Sequence, residues 1–306
     1  MKINFIDQKK NFNNSFGAIY RTSAIFYIPK NVKTHICISN YWEFKNNVKV
    51  GIVITTRLLN GKLFSREEKN FNNSNVLVIS NFGVKEGSVE IEAFGNQNLR
   101  IPYAAVMGVY ESKKSINMVH TYARNHSLIE LEENNAITKA KESCWTIKPS
   151  FENKAVFHNG HLITNKQIAK IILNNQNGKE ISKNFLIPEL KPFETFIFDI
   201  KKIFPKFRKF LSNKNGFATL HFKNSSSFTR LLLCWSSRNN EEFQTTHSNF
   251  DYSNYLTNKV KTKKGGEMTI PKLPNNIQNL ELIVYPKFEK GKYFCKFDNG
   301  ERKNFS

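Results

Sequence analysis

Two short polar stretches carry the residue types best suited to chemistry. One is Thr121–Ser127 (TYARNHS), with Tyr122, Arg124, His126 and Ser127; the other is Thr245–Asn249 (TTHSN), with His247 and Ser248. An arginine can grip a carboxylate or phosphate through two parallel N–H bonds. Neighbouring phenol, imidazole and hydroxyl groups can serve sugar hydroxyls. His126 stands 65 residues after Gly61 and His247 stands 69 after Gly178, so the two sets are expected at equivalent strand ends of two repeated units. Read this way they form a pair of ligand-binding loops. The plainer role for a His-Ser pair is to close a strand by satisfying backbone groups at its corner.

Other clusters point less clearly to chemistry. His120 and His126, or His158 and His161, lack the spacing by which three or four ligands converge on zinc, so no metal and no cofactor is expected. Glu90 and Glu92 alternate along one strand and read as a solvated face. Glu130 and Glu132 alternate with Ile129 and Leu131 in the same way. No nucleophile elbow or glycine-rich phosphate loop occurs. Catalysis is therefore not the leading expectation; as an enzyme, the chain would act on carbohydrate from a cleft around His120, Arg124 and Glu130. Tyr20, Phe26, Tyr27, Tyr41 and Trp42 could build a sugar-stacking platform, or Trp42 could sit between sheets.

The elements that must hold these residues repeat. NVKVGIVITTRLLNGKLF (residues 47–64) alternates apolar and polar residues up to Asn60-Gly61, a pair suited to a type I′ hairpin turn. The pattern returns around Asn177-Gly178 and again around Asn299-Gly300. Further strand-like runs come after each of the first two hairpins in the same order. In the first copy, Ile101–Tyr110 reads as a strand buried on both faces. The insertion KKIFPKFRKFL (201–211) reads as one short amphipathic helix with Pro205 in its first turn. It would cap an open end of the second copy, with its lysines in water. The fold expected is mainly β: tandem antiparallel β-sandwiches, jelly-roll or immunoglobulin-like, from an internal duplication. The boundaries expected are 17–143, 144–251, and 252–306 for a linker with a partial third repeat. That last unit stops soon after its hairpin, either because a C-terminal part is lost or because a few strands suffice as a cap.

Forty-six basic against 25 acidic residues give a formal charge of +21 over 306 residues. Such a field attracts polyanions, but the lysines are dispersed and no nucleic-acid signature is present, so sequence-specific nucleic-acid binding is not expected. Four scattered cysteines suggest neither a disulfide framework nor a metal site. No apolar run is long enough to cross a membrane as a helix, and the N-terminus lacks an apolar signal core, so the expectation is a soluble, cytoplasmic protein. The function expected is a non-catalytic binding protein that recognises a glycan or other polyanion through strand-end loops. The alternatives are the carbohydrate enzyme above and a structural subunit that forms homo-oligomers through exposed sheet edges.

Overall fold

The structure, a computed structural model, describes residues 20–72, 74–95, 105–121, 124–126, 142–222, 230–237, 240–248, 293–296 and 302–305. The chain divides into two compact units, Met1–Phe250 and Asp251–Ser306. The larger unit holds two β-sandwiches. The first is built from β1 (Tyr20–Ile28), β2 (Lys33–Ser39), β3 (Gly51–Leu58), β4 (Leu63–Lys69), β5 (Val76–Ser80), β6 (Gly87–Gly95), β7 (Val106–Glu111), β8 (Ile116–Val119) and β9 (Arg124–His126). The second comprises β10 (Glu142–Ile147), β11 (Glu152–His158), β12 (Gln167–Asn174), β13 (Glu180–Ile187), β14 (Thr195–Asp199), β15 (Gly216–His221), β16 (Leu232–Ser236) and β17 (Phe243–His247). In the smaller unit the described residues form one antiparallel hairpin, β18 (Tyr293–Lys296) with β19 (Arg302–Phe305).

The two sandwiches have the same sheet order. Sheet I runs β4-β3-β6-β1-β9, and sheet III of the second sandwich runs β13-β12-β15-β10; sheet II runs β5-β2-β7-β8, and sheet IV runs β14-β11-β16-β17. Each strand of the first copy thus has its counterpart nine places later, and β9 is extra. Every pairing is antiparallel. The register agrees as well. The ladder Lys33↔Glu111↔Ile116 opens sheet II where Glu152↔Ser236↔Phe243 opens sheet IV. Even a cross-sandwich bond recurs: Tyr110 Oη donates to Tyr27 O at 2.8 Å, and Trp235 Nε1 to Thr146 O at 2.9 Å.

Period-two alternation supplies the cores. Ala24, Phe26, Ile52, Ile54, Val89 and Ile91 of sheet I meet Ile36, Ile38 and Val106 of sheet II, with Trp42 buried among them. Trp42 lies on a short helix, Tyr41–Asn46, and Phe26 and Tyr27 are also buried, so the expected stacking platform does not exist on these rings. The second core joins Trp145, Ile171 and Leu220 of sheet III to Phe157, Phe198 and Leu233 of sheet IV. KKIFPKFRKFL breaks at Pro205 into two single turns, Ile200–Ile203 and Phe207–Phe210, instead of one helix. Its apolar residues Ile203, Phe204, Phe207 and Leu211 nevertheless enter this core.

Three further expectations change. The hairpins are not type I′: Gly61 (φ 79°) and Gly178 (φ 73°) have positive φ, but Asn60 and Asn177 do not. Gly61 N donates to Leu58 O and Leu58 N to Lys62 O, a type I turn followed by a left-handed glycine; Asn175, Gly178 and Lys179 repeat it. The strand expected over Ile101–Tyr110 begins, among the described residues, only at Val106, and it alternates buried with half-buried residues because sheet II has one covered face. Glu90 and Glu92, expected in solvent, are fully buried. Three arginines explain this. Glu90 pairs with Arg57 (2.8 Å) and Arg21 (3.1 Å), and Glu92 with Arg21 (2.6 Å) and Arg66 (3.2 Å). Phe193 of the second sandwich covers the Arg57 guanidinium at 4.0 Å.

Candidate functional site

The sandwiches meet along a seam made from both copies. Tyr27, Val32, Tyr110 and Val119 of the first pack on Val156, Leu232, Cys234 and Phe243 of the second, which lie on the outer face of sheet IV. Polar contacts fix the alignment. Ser115 Oγ and Asn117 Nδ2 donate to Phe243 O, each at 2.7 Å, and Lys114 N donates to Glu241 O at 2.9 Å. Thr195 N donates to Leu59 O at 2.8 Å. Strand β17 therefore travels beside β8, and the residue after Val119 is brought to the end of β17.

His120 is that residue. Four positions beyond Ile116, it matches His247, four beyond Phe243, and the two imidazoles touch: Nε2 to Nε2 is 3.2 Å and the ring centroids are 4.4 Å apart. Arg230, just before β16, sets its Nη1 3.2 Å from His247 Nε2 and 3.4 Å from Nδ1. Hydrogen bonding assigns the tautomers. His247 Nδ1 lies 3.1 Å from Ser248 O, which can only accept, so that nitrogen carries the proton. His247 Nε2 then offers its lone pair, with Arg230 Nη1 and His120 Nε2 both 3.2 Å away as donors. Burial holds both imidazoles below their ordinary pKa; the His247 ring and the Arg230 charge add to this for His120, and Arg230 adds to it for His247. Three groups able to carry positive charge thus share one half-buried place.

The ligand residues expected from sequence fare differently. His247 is in this cluster. Ser248 is buried and structural, its Oγ accepting from Leu231 N at 3.1 Å. His126 is not the counterpart of His247. It lies with Arg124 on β9, paired to β1 at the edge of sheet I, whereas His247 ends β17 in sheet IV. Tyr122, Ser127 and Glu130 lie outside the described residues, so the cleft expected around His120, Arg124 and Glu130 has only His120 placed with its side chain. Sequence reasoning missed Arg230 and did not place His120 beside His247. Matching SINMVH to FQTTH, instead of one His-Ser pair to the other, would have aligned the two histidines.

His158 has local work. His158 is buried, with Nδ1 2.9 Å from Thr195 Oγ1, and burial alone holds its pKa down at about 3. Asn159 beside it staples a loop, its Nδ2 donating to Leu162 O and Lys191 O, each at 2.8 Å, while its Oδ1 accepts from Thr164 at 2.7 Å. Among the described residues no three His, Cys, Asp or Glu side chains gather as a metal set. Cys37 is half-buried and Cys234 buried, both as free thiols. Among the described residues no helix is long and apolar enough to cross a membrane.

No family model matches the chain, and no curated protein matches it. Among solved structures it overlaps the α-L-rhamnosidase of Streptomyces avermitilis complexed with L-rhamnose, at 10% identity and a TM-score of 0.23. The overlap covers 76% of this chain and 26% of the enzyme chain, so the chain spans about a quarter of that protein. A TM-score of this size is too low for the overlap to bear on function.

Proposed function

We propose that this chain is a non-catalytic binding protein in which two joined β-sandwich modules hold an anionic polymer, an acidic glycan first among them, at their seam. The modules are those bounded at 17–143 and 144–251, followed by a linker and partial repeat over 252–306. The observation that carries the reading is the meeting of Arg230, His120 and His247, contributed by both copies, in a protein whose formal charge is +21. A carboxylate or sulfate arriving there takes two N–H bonds from Arg230 and favours the charged form of both imidazoles, opposing the burial and the Arg230 charge that hold their pKa values down. The dispersed lysines raise the encounter rate without setting specificity.

Titration calorimetry with a sulfated or carboxylated glycan and with a neutral one tests this. The acidic ligand binds in low salt, and Arg230→Met weakens it on the order of 10- to 100-fold, the value of one charge-assisted pair. The neutral ligand does not bind. Equal binding of both ligands, or an Arg230→Met variant indistinguishable from the parent, defeats the reading.

A further inference from the structure

We propose that the outer face of sheet II docks the second sandwich of another copy of this chain, head to tail, in the way the two sandwiches of one chain dock. The repeat makes the argument. The ladder register maps the outer face of sheet II onto that of sheet IV, so that Val76 corresponds to Thr195, Val78 to Ile197, Cys37 to Val156, Ile116 to Phe243 and Met118 to Thr245. On sheet IV this face is covered by the first sandwich: Phe243 is 2% exposed and Thr245 8%. On sheet II the same positions are equally apolar and open, with Ile116 72% exposed, Met118 66%, Val78 58% and Val76 49%. A continuous apolar face on the solvent side of an antiparallel sheet is what an interface leaves when its partner is away.

The complementary half is also open. In the seam the β3–β4 turn of the first sandwich lies against the second, where a Cβ on Gly61 would stand 2.4 Å from Pro192 O. The equivalent β12–β13 turn of the second sandwich has no such neighbour: a Cβ on Gly178 would meet nothing within 4 Å, and Gln176, the counterpart of the buttressing Leu59, is exposed. Half-buried Phe151 stands at that end where Val32 stands in the first sandwich, while Trp235, at the place of Tyr110, is already buried with Lys148 Nζ 4.8 Å over its ring. One chain therefore carries an open face and an open end of the same interface. Joining the face of one copy to the end of the next makes a heterologous contact, which propagates into a filament or closes into a ring.

Sedimentation across a concentration series tests it. The full chain should gain mass above 35.5 kDa as concentration rises. Ile116→Lys with Met118→Lys spoils the face, and Gln176→Arg with Asn177→Arg spoils the end; each pair should weaken self-association more than tenfold. All four side chains sit in water or largely so, and unchanged tryptophan fluorescence confirms the fold; Val78→Lys is the substitute should the first pair misfold. Mixing the face variant with the end variant should restore one interface and stop at a one-to-one dimer. A parent that stays monomeric throughout overturns the proposal. So does a mixture that fails to pair, or a face variant that assembles like the parent.

Discussion

Replacing Glu90 by glutamine should destabilise the first sandwich by about 3–5 kcal/mol, because it breaks a buried ion pair from one side only. Glu90 accepts from Arg57 at 2.8 Å and Arg21 at 3.1 Å with no exposure of its own, and Arg57 is itself buried beneath Phe193. Glutamine keeps the volume and one acceptor but leaves the Arg57 charge without its counter-ion. Arg21 retains Glu92 at 2.6 Å, so Arg57 bears most of the loss. Set against a typical domain stability of about 5–15 kcal/mol, the change is large enough to read directly. Urea unfolding followed by fluorescence is the assay, with Trp42 in the first core and Trp145 and Trp235 in the second. The double variant Glu90→Gln with Arg57→Met should recover most of the loss, since removing both partners leaves no stranded charge. A loss under about 1 kcal/mol for Glu90→Gln alone, on a scale where exposed pairs give about 0–1 kcal/mol, would mean that the carboxylate is solvated and the burial argument fails.

Stability should also fall in mild acid. His158 has a folded pKa of about 3 against about 6.5 unfolded, so the unfolded chain binds the proton more readily. The contribution is complete above pH 6.5 and is lost as pH drops toward 3, amounting to ~2 kcal/mol between pH 7 and pH 5. His158→Gln should flatten that slope in urea titrations at the two pH values; an unchanged slope rules His158 out as its source. The two turn glycines should respond unequally to alanine. Gly178→Ala meets open space and incurs about 1–2 kcal/mol for the left-handed backbone alone. Gly61→Ala adds a contact 2.4 Å from Pro192 O across the seam and should lose clearly more; equal losses in thermal unfolding would mean that the seam yields there without resistance.

The sequence made the strands legible because one buried face per sheet writes a period of two, and the Asn-Gly pairs marked where the chain reverses. It did not reveal that Asn60 would stay right-handed, since an Asn-Gly pair serves either turn. Alternation placed Glu90 and Glu92 opposite the core but said nothing of Arg21, Arg57 and Arg66 arriving from three other strands, or of a second sandwich laid over Arg57. The site misled for a topological reason. The extra strand Arg124–His126 joins sheet I after the eighth strand of the repeat is complete, so His126 lies beyond the point where the copies correspond. Arg230 becomes a neighbour of His247 through the pairing of β16 with β17, and His120 only through the packing of the two copies, contacts that no local pattern encodes.

The most direct measurement is the titration of the His120 and His247 imidazoles by NMR, with and without a sulfated glycan. Without ligand both should titrate below the ordinary histidine value of about 6.5. With ligand both should move up by a unit or more, and Arg230→Met should abolish the shift. Histidine pKa values that ignore the glycan, in a protein that nevertheless binds it, would place the ligand elsewhere and contradict the seam as the binding site.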